Sequence, residues 1–505
     1  MKKMFTKLKC NLKNYRPNKK VAFLYFIIPA ILVVLNCIIL DNDIWFILNN
    51  GKYVLENGIP KIDPFTIHEN LELVMQQWLS AVIFYKIYDL FDFLGLIILM
   101  LLIDIVIIIL TYKLCMLISQ KKLYLSILIT IIINVFLSML YLKTRPQIFD
   151  YVLFLLEFYL LEQYIRKKNI KYLFPLPLIA LLMINLHATS FLLLFCFITP
   201  YIIDSFKINF RFIKTEGYRK TPLIIVTIIM LLVGLINPYG IDAITYIFTS
   251  VGKYYINSFI TEMMPLNITN SIGITNFIII GIVIFTYIFA KKGKIKLRYF
   301  LLLIGTLFLA FQTVKGGSYF IIAGIFPLAD YLSIYFKDYN FNIKYTKNFN
   351  IKYSTILVIT IALLSVIFVT QTKKELKEPT GLKKSADILI EANEEEKITL
   401  YASYDNGGYM EFRGLKPYID ARAEVFCKSN NKKADIMKEF YSLQERYINQ
   451  EEFINKYHFT HLVVQEKDVL YKYLKNNINY KLLYKYKSKD EEKDSYYLYE
   501  KIIQD

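Results

Sequence analysis

The stretch DNDIWFILNNGKYVLENGIPKIDPF, Asp41 to Phe65, follows directly on twenty almost uncharged residues, VAFLYFIIPAILVVLNCIIL, Val21 to Leu40. The apolar run is long enough to cross a bilayer. Two carboxylates and a Trp stand at its exit, where a snorkelling Lys would be the ordinary end. That junction decides the reading, because a span ends there and a polar face begins.

The rest of the composition agrees. The 505 residues are 55% hydrophobic and 16% aromatic, with a mean hydropathy of +0.39, too apolar for a chain wetted on all sides. A net charge of +18 would suggest nucleic acid in a soluble protein. Here the Lys and Arg residues fall in short clusters between apolar runs, which is the pattern of positive-inside topology and excludes a nucleic-acid groove. Cys37, Cys115 and Cys196 lie in apolar runs, Cys10 in the basic start and Cys427 alone in a polar region. No zinc spacing or disulfide framework appears. The basic start with its apolar run reads as an uncleaved first span, since the run is long and lacks a small-residue cleavage site.

Windows long enough to span fall near residues 21–40, 94–118, 123–142, 147–164, 172–186, 189–204, 221–237, 273–290, 298–313, 318–335 and 354–371. That is about eleven crossings. With the N-terminus inside, the inner connections SQKK, RKKNIK, SFKINFRFIKTEGYRK, KKGKIKLR and KDYNFNIKYTKNFNIK are all basic. The outer ones are poor in Lys and Arg, so the charges predict an N-in, C-out protein. The expected fold is an α-helical polytopic membrane domain, residues 1–372, and a small extracytoplasmic α/β domain, residues 373–505. The first outer loop, 41–93, carries LVMQQWLSAVIFYKIYDLFDFLG, with apolar residues at the spacing of an amphipathic interfacial helix. In the C-terminal part KITLYAS, KPYIDA and THLVVQ predict strands, KKADIMKEFYSLQERY a helix, and YKLLYKYK with SYYLYEK a hairpin.

This topology gathers polar residues from distant turns, Asp41, Asp43, Arg145, His187, Asn237 and Lys315, on one outer face where they can share a pocket. Asp41 and Asp43, two apart in an extended segment, can hold a divalent cation through oxygen or supply a general base; they also suit a capped helix end with Asn42 in a turn. Trp45 fits an aromatic belt or a substrate platform. Asp63 precedes Pro64 and suits a turn. Arg145 in KTRPQ stands where positive-inside topology disfavours a base, and its guanidinium fits a phosphate or an anionic headgroup. His187 in INLHAT is an interface residue or a site residue. Lys315 in QTVKGG either snorkels or meets a phosphate, beside glycines that let a ligand approach the backbone. Asp104 and Glu157 are acids within spans. In YDNGGYMEFRGLKPYIDARAEVF a Gly-Gly turn precedes Asp420, Arg422 and Glu424, whose alternation places them on one face as a salt-bridge set or a binding surface.

The succession DNDIWFILNNGKYVLENGIPKIDPFT, QQWLSAVIFYKIY, TRPQIFDYVLFLLEFYLLE, INLHAT, LINPYG and NGGYMEFRGLKPYIDARAE resembles a group of bacterial polytopic membrane proteins of the GT-C glycosyltransferase superfamily. The resemblance implies an acidic D-x-D-like motif in the first outer loop, matched here by Asp41 and Asp43, and a polyprenyl-phosphate-linked sugar donor. Phe46 and Lys315 depart from the His and Arg of that pattern.

The expectation is therefore a glycosyltransferase in a bacterial plasma membrane, moving a sugar from a lipid-linked donor to an envelope glycan or protein acceptor on the outer face. Asp43 and Asp41 would be catalytic, with a divalent cation as an option between them, and Arg145 and Lys315 would hold the donor phosphate. Two alternatives stand beside it: a non-catalytic envelope scaffold that binds polysaccharide, and a lipid or sugar transporter. The crowding of polar residues at outer span ends, with no internal repeat, argues against the transporter.

Overall fold

The computed structural model describes residues 41–206, 213–250, 254–269, 271–289, 294–335, 378–395, 397–487 and 495–502. The expected first and last spans, 21–40 and 354–371, lie outside the described residues, as does the basic start.

The apolar runs between residues 94 and 335 are helical, since a chain in lipid must satisfy its backbone within itself. The helices are Trp78–Ile118, Leu123–Leu140, Gln147–Lys167, Leu176–Leu186, Phe191–Asp204, Thr221–Val233, Ser271–Phe289, Leu297–Gln312 and the segment Gly316–Tyr335. Three of them, Trp78–Ile118, Ser271–Ile288 and Gly316–Tyr335, are long and apolar enough to cross a membrane by length and composition. Leu176–Leu186 and Phe191–Asp204, expected as separate crossings, have 11 and 14 residues. They reach about 16 and 21 Å, less than the ~30 Å of a hydrocarbon layer.

The outer loop is more ordered than its sequence suggests. Asp41–Asp43 is not extended: Asp43 opens a helix, Asp43–Asn57, hereafter the loop helix. The amphipathic segment begins at Trp78 and runs on to Ile118, broken at Asp92, where φ is 54° and ψ −159°. Asp92 accepts the Phe93 N–H at 2.8 Å and so caps the second half. The loop helix packs on the first half at Gly51, where a Cβ would lie 2.1 Å from the Ala81 carbonyl oxygen. Ser80 Oγ donates to the Leu186 carbonyl and Trp78 Nε1 to Asn185 Oδ1, fixing this pair to the end of Leu176–Leu186.

Strands are few. β1 (Ile213–Lys214) and β2 (Ile295–Lys296) form a short parallel pair. In the C-terminal part β3 (Leu400–Ala402), β4 (His461–Gln465), β5 (Tyr480–Tyr486) and β6 (Tyr496–Lys501) make one sheet in the order β3-β4-β6-β5. β3 and β4 are parallel, and β5 and β6 form the expected hairpin. KPYIDA is not a strand; only Pro417 bridges to Leu400. Nor do Gly407 and Gly408 make a turn, because they lie inside the helix Tyr404–Phe412. A Cβ on Gly407 would lie 1.8 Å from the Ile419 carbonyl oxygen, and one on Gly408 would lie 3.3 Å from Phe46. The glycines are there for close approach: one admits the backbone of its own domain, the other the loop helix.

That seam is apolar. Trp45 is 4% exposed, and its ring meets Phe93, Tyr409 and Phe412 at centroid distances of 5.8, 4.9 and 5.2 Å. It is neither a belt aromatic nor a platform; it is the core of the contact between loop helix and C-terminal domain. Asp63, Asp420 and Arg422 complete the seam. Arg422 reaches Asp63 at 2.8 Å, Asp420 at 2.5 Å and Glu411 at 3.1 Å. The expected turn residue Asp63 is thus 4% exposed and paired across the chain.

Gly407→Ala is expected to cost about 1–3 kcal/mol by overpacking, read as a lower melting temperature of the purified protein in detergent. Gly281→Ala, whose Cβ meets nothing within 4 Å, is the control and should not lower it.

Candidate functional site

A cavity of 720 Å³ lies where the loop helix, the Arg145 and Lys315 turns, the His187 corner and the C-terminal domain converge. Each wall has a local cause. Asp41 Oδ1 accepts the Asp43 N–H at 3.3 Å and the Asp41 carbonyl accepts from Ile44, a tight turn that starts the loop helix. Pro146 fixes the start of Gln147–Lys167 and leaves Arg145 in the preceding turn. The Lys315 N–H donates to the Glu262 carbonyl and the Val314 N–H to Met264, so the loop bearing Glu262 is tied to the Lys315 turn. Gly316 and Gly317 serve protein packing here, not a ligand: their Cβ atoms would lie 1.9 Å from the Leu309 carbonyl oxygen and 2.2 Å from the Tyr141 hydroxyl.

Arg145 is the centre of this site. Its Nε and Nη2 donate to the two oxygens of Asp41 at 2.9 Å each. Nη2 also lies 3.0 Å from Asp43, and Nη1 donates to Glu262. Lys143 adds a weaker contact to Asp41 at 3.5 Å. Asp41 and Asp43 are therefore brought together, as expected, but on a guanidinium. Arg145, offered by the sequence as a phosphate ligand, is already held by three carboxylates. Lys315 lines the cavity, and its Nζ makes no ion pair among the described residues.

The carboxyls respond unequally. Burial raises Asp41, but Arg145, by charge and hydrogen bond, and Lys143 outweigh it and hold the group below the usual range. Glu262 is likewise held low by Arg145 and Lys315 against burial. Burial pushes Asp43 up to about 8: Arg145 opposes the rise, while Asp41, Glu262 and Glu424 reinforce it. Burial and Glu262 also raise Glu424, with Lys315 and His187 pulling the other way.

His187 stands at another wall. Its Nδ1 lies 2.6 Å from Asp150, which also accepts the Ser190 hydroxyl at 2.6 Å. The ring is thus oriented by a carboxylate, and the residue borders the cavity. Asp63 and Asp420 do not line the cavity; they belong to the Arg422 clamp, whose far side forms part of the wall.

Sequence reasoning missed Glu262, Asp150 and Ser190, and it read Glu424 as part of a salt-bridge set or binding surface with Asp420 and Arg422. Glu262 had a faint signal, an acid in the otherwise apolar outer stretch SFITEMMP.

Whether the acids suit a divalent cation follows from their donors. Both oxygens of Asp41 are taken by Arg145, and Asp43 and Glu262 share the same guanidinium. Among the described residues no group of three metal-ligating side chains is assembled. The residues as they stand do not fit a divalent cation, because a fixed cation already sits between them.

No family model matches the sequence, and no curated protein does. Solved structures do match the fold. The archaeal oligosaccharyltransferase AglB from Archaeoglobus fulgidus, in complex with an inhibitory peptide and a dolichol-phosphate, has a TM-score of 0.57 at 10% identity, over 88% of this chain and 69% of that one. The Archaeoglobus fulgidus oligosaccharyltransferase in complex with Zn and sulfate has a TM-score of 0.53 at 11% identity, over 88% and 67%. The chain shares the fold of these solved structures.

Proposed function

We propose that this protein is a membrane glycosyltransferase that moves a sugar from a polyprenyl-phosphate-linked donor to a hydroxyl acceptor at the outer face of a bacterial plasma membrane. The observation that carries the reading is the split between Asp41 and Asp43, one carboxyl held low and its neighbour pushed up to about 8 beside the same Arg145 in one cavity. Divided environments for paired carboxyls are how a site obtains a base suited to neutral pH. The dolichol-phosphate in the AglB structure supports the donor class.

In this mechanism ionised Asp43 takes the proton from the acceptor hydroxyl. The oxygen attacks the anomeric carbon, the bond from that carbon to the phosphate oxygen breaks, and its electron pair leaves with the polyprenyl phosphate. That group needs charge stabilisation more than protonation. Lys315 supplies it, with Lys143 at the rim and His187 also bordering the cavity. Arg145 organises Asp41, Asp43 and Glu262, and it takes the countercharge role that a divalent cation would have. The C-terminal domain contributes Tyr404 and Glu424 to the acceptor side and lies with the cavity on the outer face.

Asp43→Asn, expressed and folded, should lower transfer in a membrane assay by about 10²–10⁴-fold, the worth of a general base; activity near wild type rejects the assignment. Because Asp43 must be ionised to act, kcat/KM should climb with pH and level off above about 8, and the climb should vanish in Asp43→Asn. A profile flat across that range assigns the base elsewhere. Chelation with EDTA should leave the rate unchanged, whereas Arg145→Ala should abolish it and lower the melting temperature. Removing one partner of a buried ion pair typically costs about 3–5 kcal/mol. A rate that collapses on chelation and returns with added metal overturns the role given to Arg145.

A further inference from the structure

Asn50 lies seven residues beyond Asp43 on the loop helix. At 3.6 residues per turn it shares the Asp43 face, about 10 Å further along the axis. It is 2% exposed and lines the same cavity, and its Oδ1 is buried without a hydrogen-bond partner. Its amide nitrogen makes no bond among the described residues either. Buried amides are rarely left so. Asn134, Asn185 and Asn276, buried in other helices, each donate to the carbonyl four residues back. Asn50 makes no such bond to Phe46.

A second amide stands nearby. Gln77 is 9% exposed, lines the cavity, and its side chain makes no hydrogen bond among the described residues. Its carbonyl accepts the Ala81 N–H, and Ala81 is where the loop helix crosses at Gly51. The two amides therefore flank one helix crossing and border one space, away from the Arg145 cluster.

Each amide both donates and accepts, as a hydroxyl does, whereas a phosphate only accepts and calls for cations. An extended peptide would be met by main-chain groups of a sheet edge, and none of the strands β1–β6 borders the cavity. Leu73, Met75 and Val425, which form one apolar cluster, line the cavity as well and suit the C–H face of a sugar ring.

We propose that Asn50 and Gln77 form a sugar subsite that receives the hydroxyls of a pyranose ring while the Asp43 end carries out transfer. The assignment rests on the transferase reading for its purpose but not for its test.

The probes are methyl glycosides of glucose, galactose, mannose and N-acetylglucosamine, titrated onto the full chain in detergent by saturation-transfer NMR. At least one should bind, and Asn50→Leu and Gln77→Leu should each weaken it ten-fold or more. Asn50→Leu also removes an unpaired buried amide, so without ligand its melting temperature should stay level or rise. If Asn50 instead supported the fold, it would fall. Unchanged affinity in both variants, or binding of a short uncharged peptide with no glycoside binding, overturns the proposal. Displacement of the glycoside by a polyprenyl-phosphate-linked sugar, but not by polyprenyl phosphate alone, assigns the subsite to the donor sugar. Glycoside and lipid-linked sugar bound together assign it to the acceptor, and both results support it. Asp43→Asn should keep glycoside binding, so failure of the transferase reading is seen separately, as binding without turnover.

Discussion

The contact of Arg145 with Asp41, Asp43 and Glu262 is the constraint on which the rest of the cavity depends. It joins the start of the loop helix, the turn before Gln147–Lys167 and the loop bearing Glu262, which main-chain hydrogen bonds tie to the Lys315 turn. Among the described residues no main-chain hydrogen bond links these three segments to one another, so the guanidinium supplies what hydrogen-bonded sheet would supply elsewhere. Only a planar fork with several fixed donors can meet carboxyls from three directions at once. A Lys carries the same charge but not that geometry.

The same contact explains why one carboxyl stays proton-hungry. Asp41, Asp43, Glu262 and Glu424 face the cavity, against Arg145, Lys143 and Lys315. Asp405 is paired with Lys467, and Arg422 with the seam acids. Four acids against three permanent cations leave one carboxyl uncompensated in a partly dry space, and desolvation makes protonation the cheaper solution. Asp43 is that group, although it sits in the first turn of a helix, where the macrodipole favours its anion. Binding a donor phosphate would add negative charge and strengthen the effect. The raised Asp43 carboxyl therefore follows from burial first and from the balance of surrounding charges second, not from any single neighbour.

The C-terminal part of the chain belongs to this arrangement because two devices hold it against the loop helix. The Arg422 clamp is polar and directional, and the Trp45 ring cluster with Gly408 is apolar and close. Together they fix the register between Glu424 and Asp43. A second buried hub lies toward the other end of Gln147–Lys167: Arg298 bonds Glu162, Asp204 and Glu216. The long helix is thus held by a multiply paired arginine near each end, so the outer turn bearing Arg145 is referenced to a fixed bundle.

What could be read in the sequence follows from which properties are local. Hydropathy placed the helices among the described residues, and charge asymmetry predicted a face shared by Asp41, Asp43, Arg145, His187, Asn237 and Lys315; all but Asn237, whose amide donates to the Gly234 and Gly240 carbonyls of its own turn, line one cavity. The Gly-Gly pairs misled, because a glycine that admits a neighbouring backbone is written the same way as one that makes a turn. Trp45 and Asp63 misled for a similar reason: at a span exit and before a Pro their ordinary uses are local, whereas here each finds partners from residues 409–422. Glu262 was faint and Asn50 invisible for a deeper reason. An acid acquires a role only when a distant cation meets it, and an amide is unusual only by lacking partners that the folded chain alone can supply or withhold. Pairing and its absence are tertiary quantities, and in this protein the chemistry rests on both.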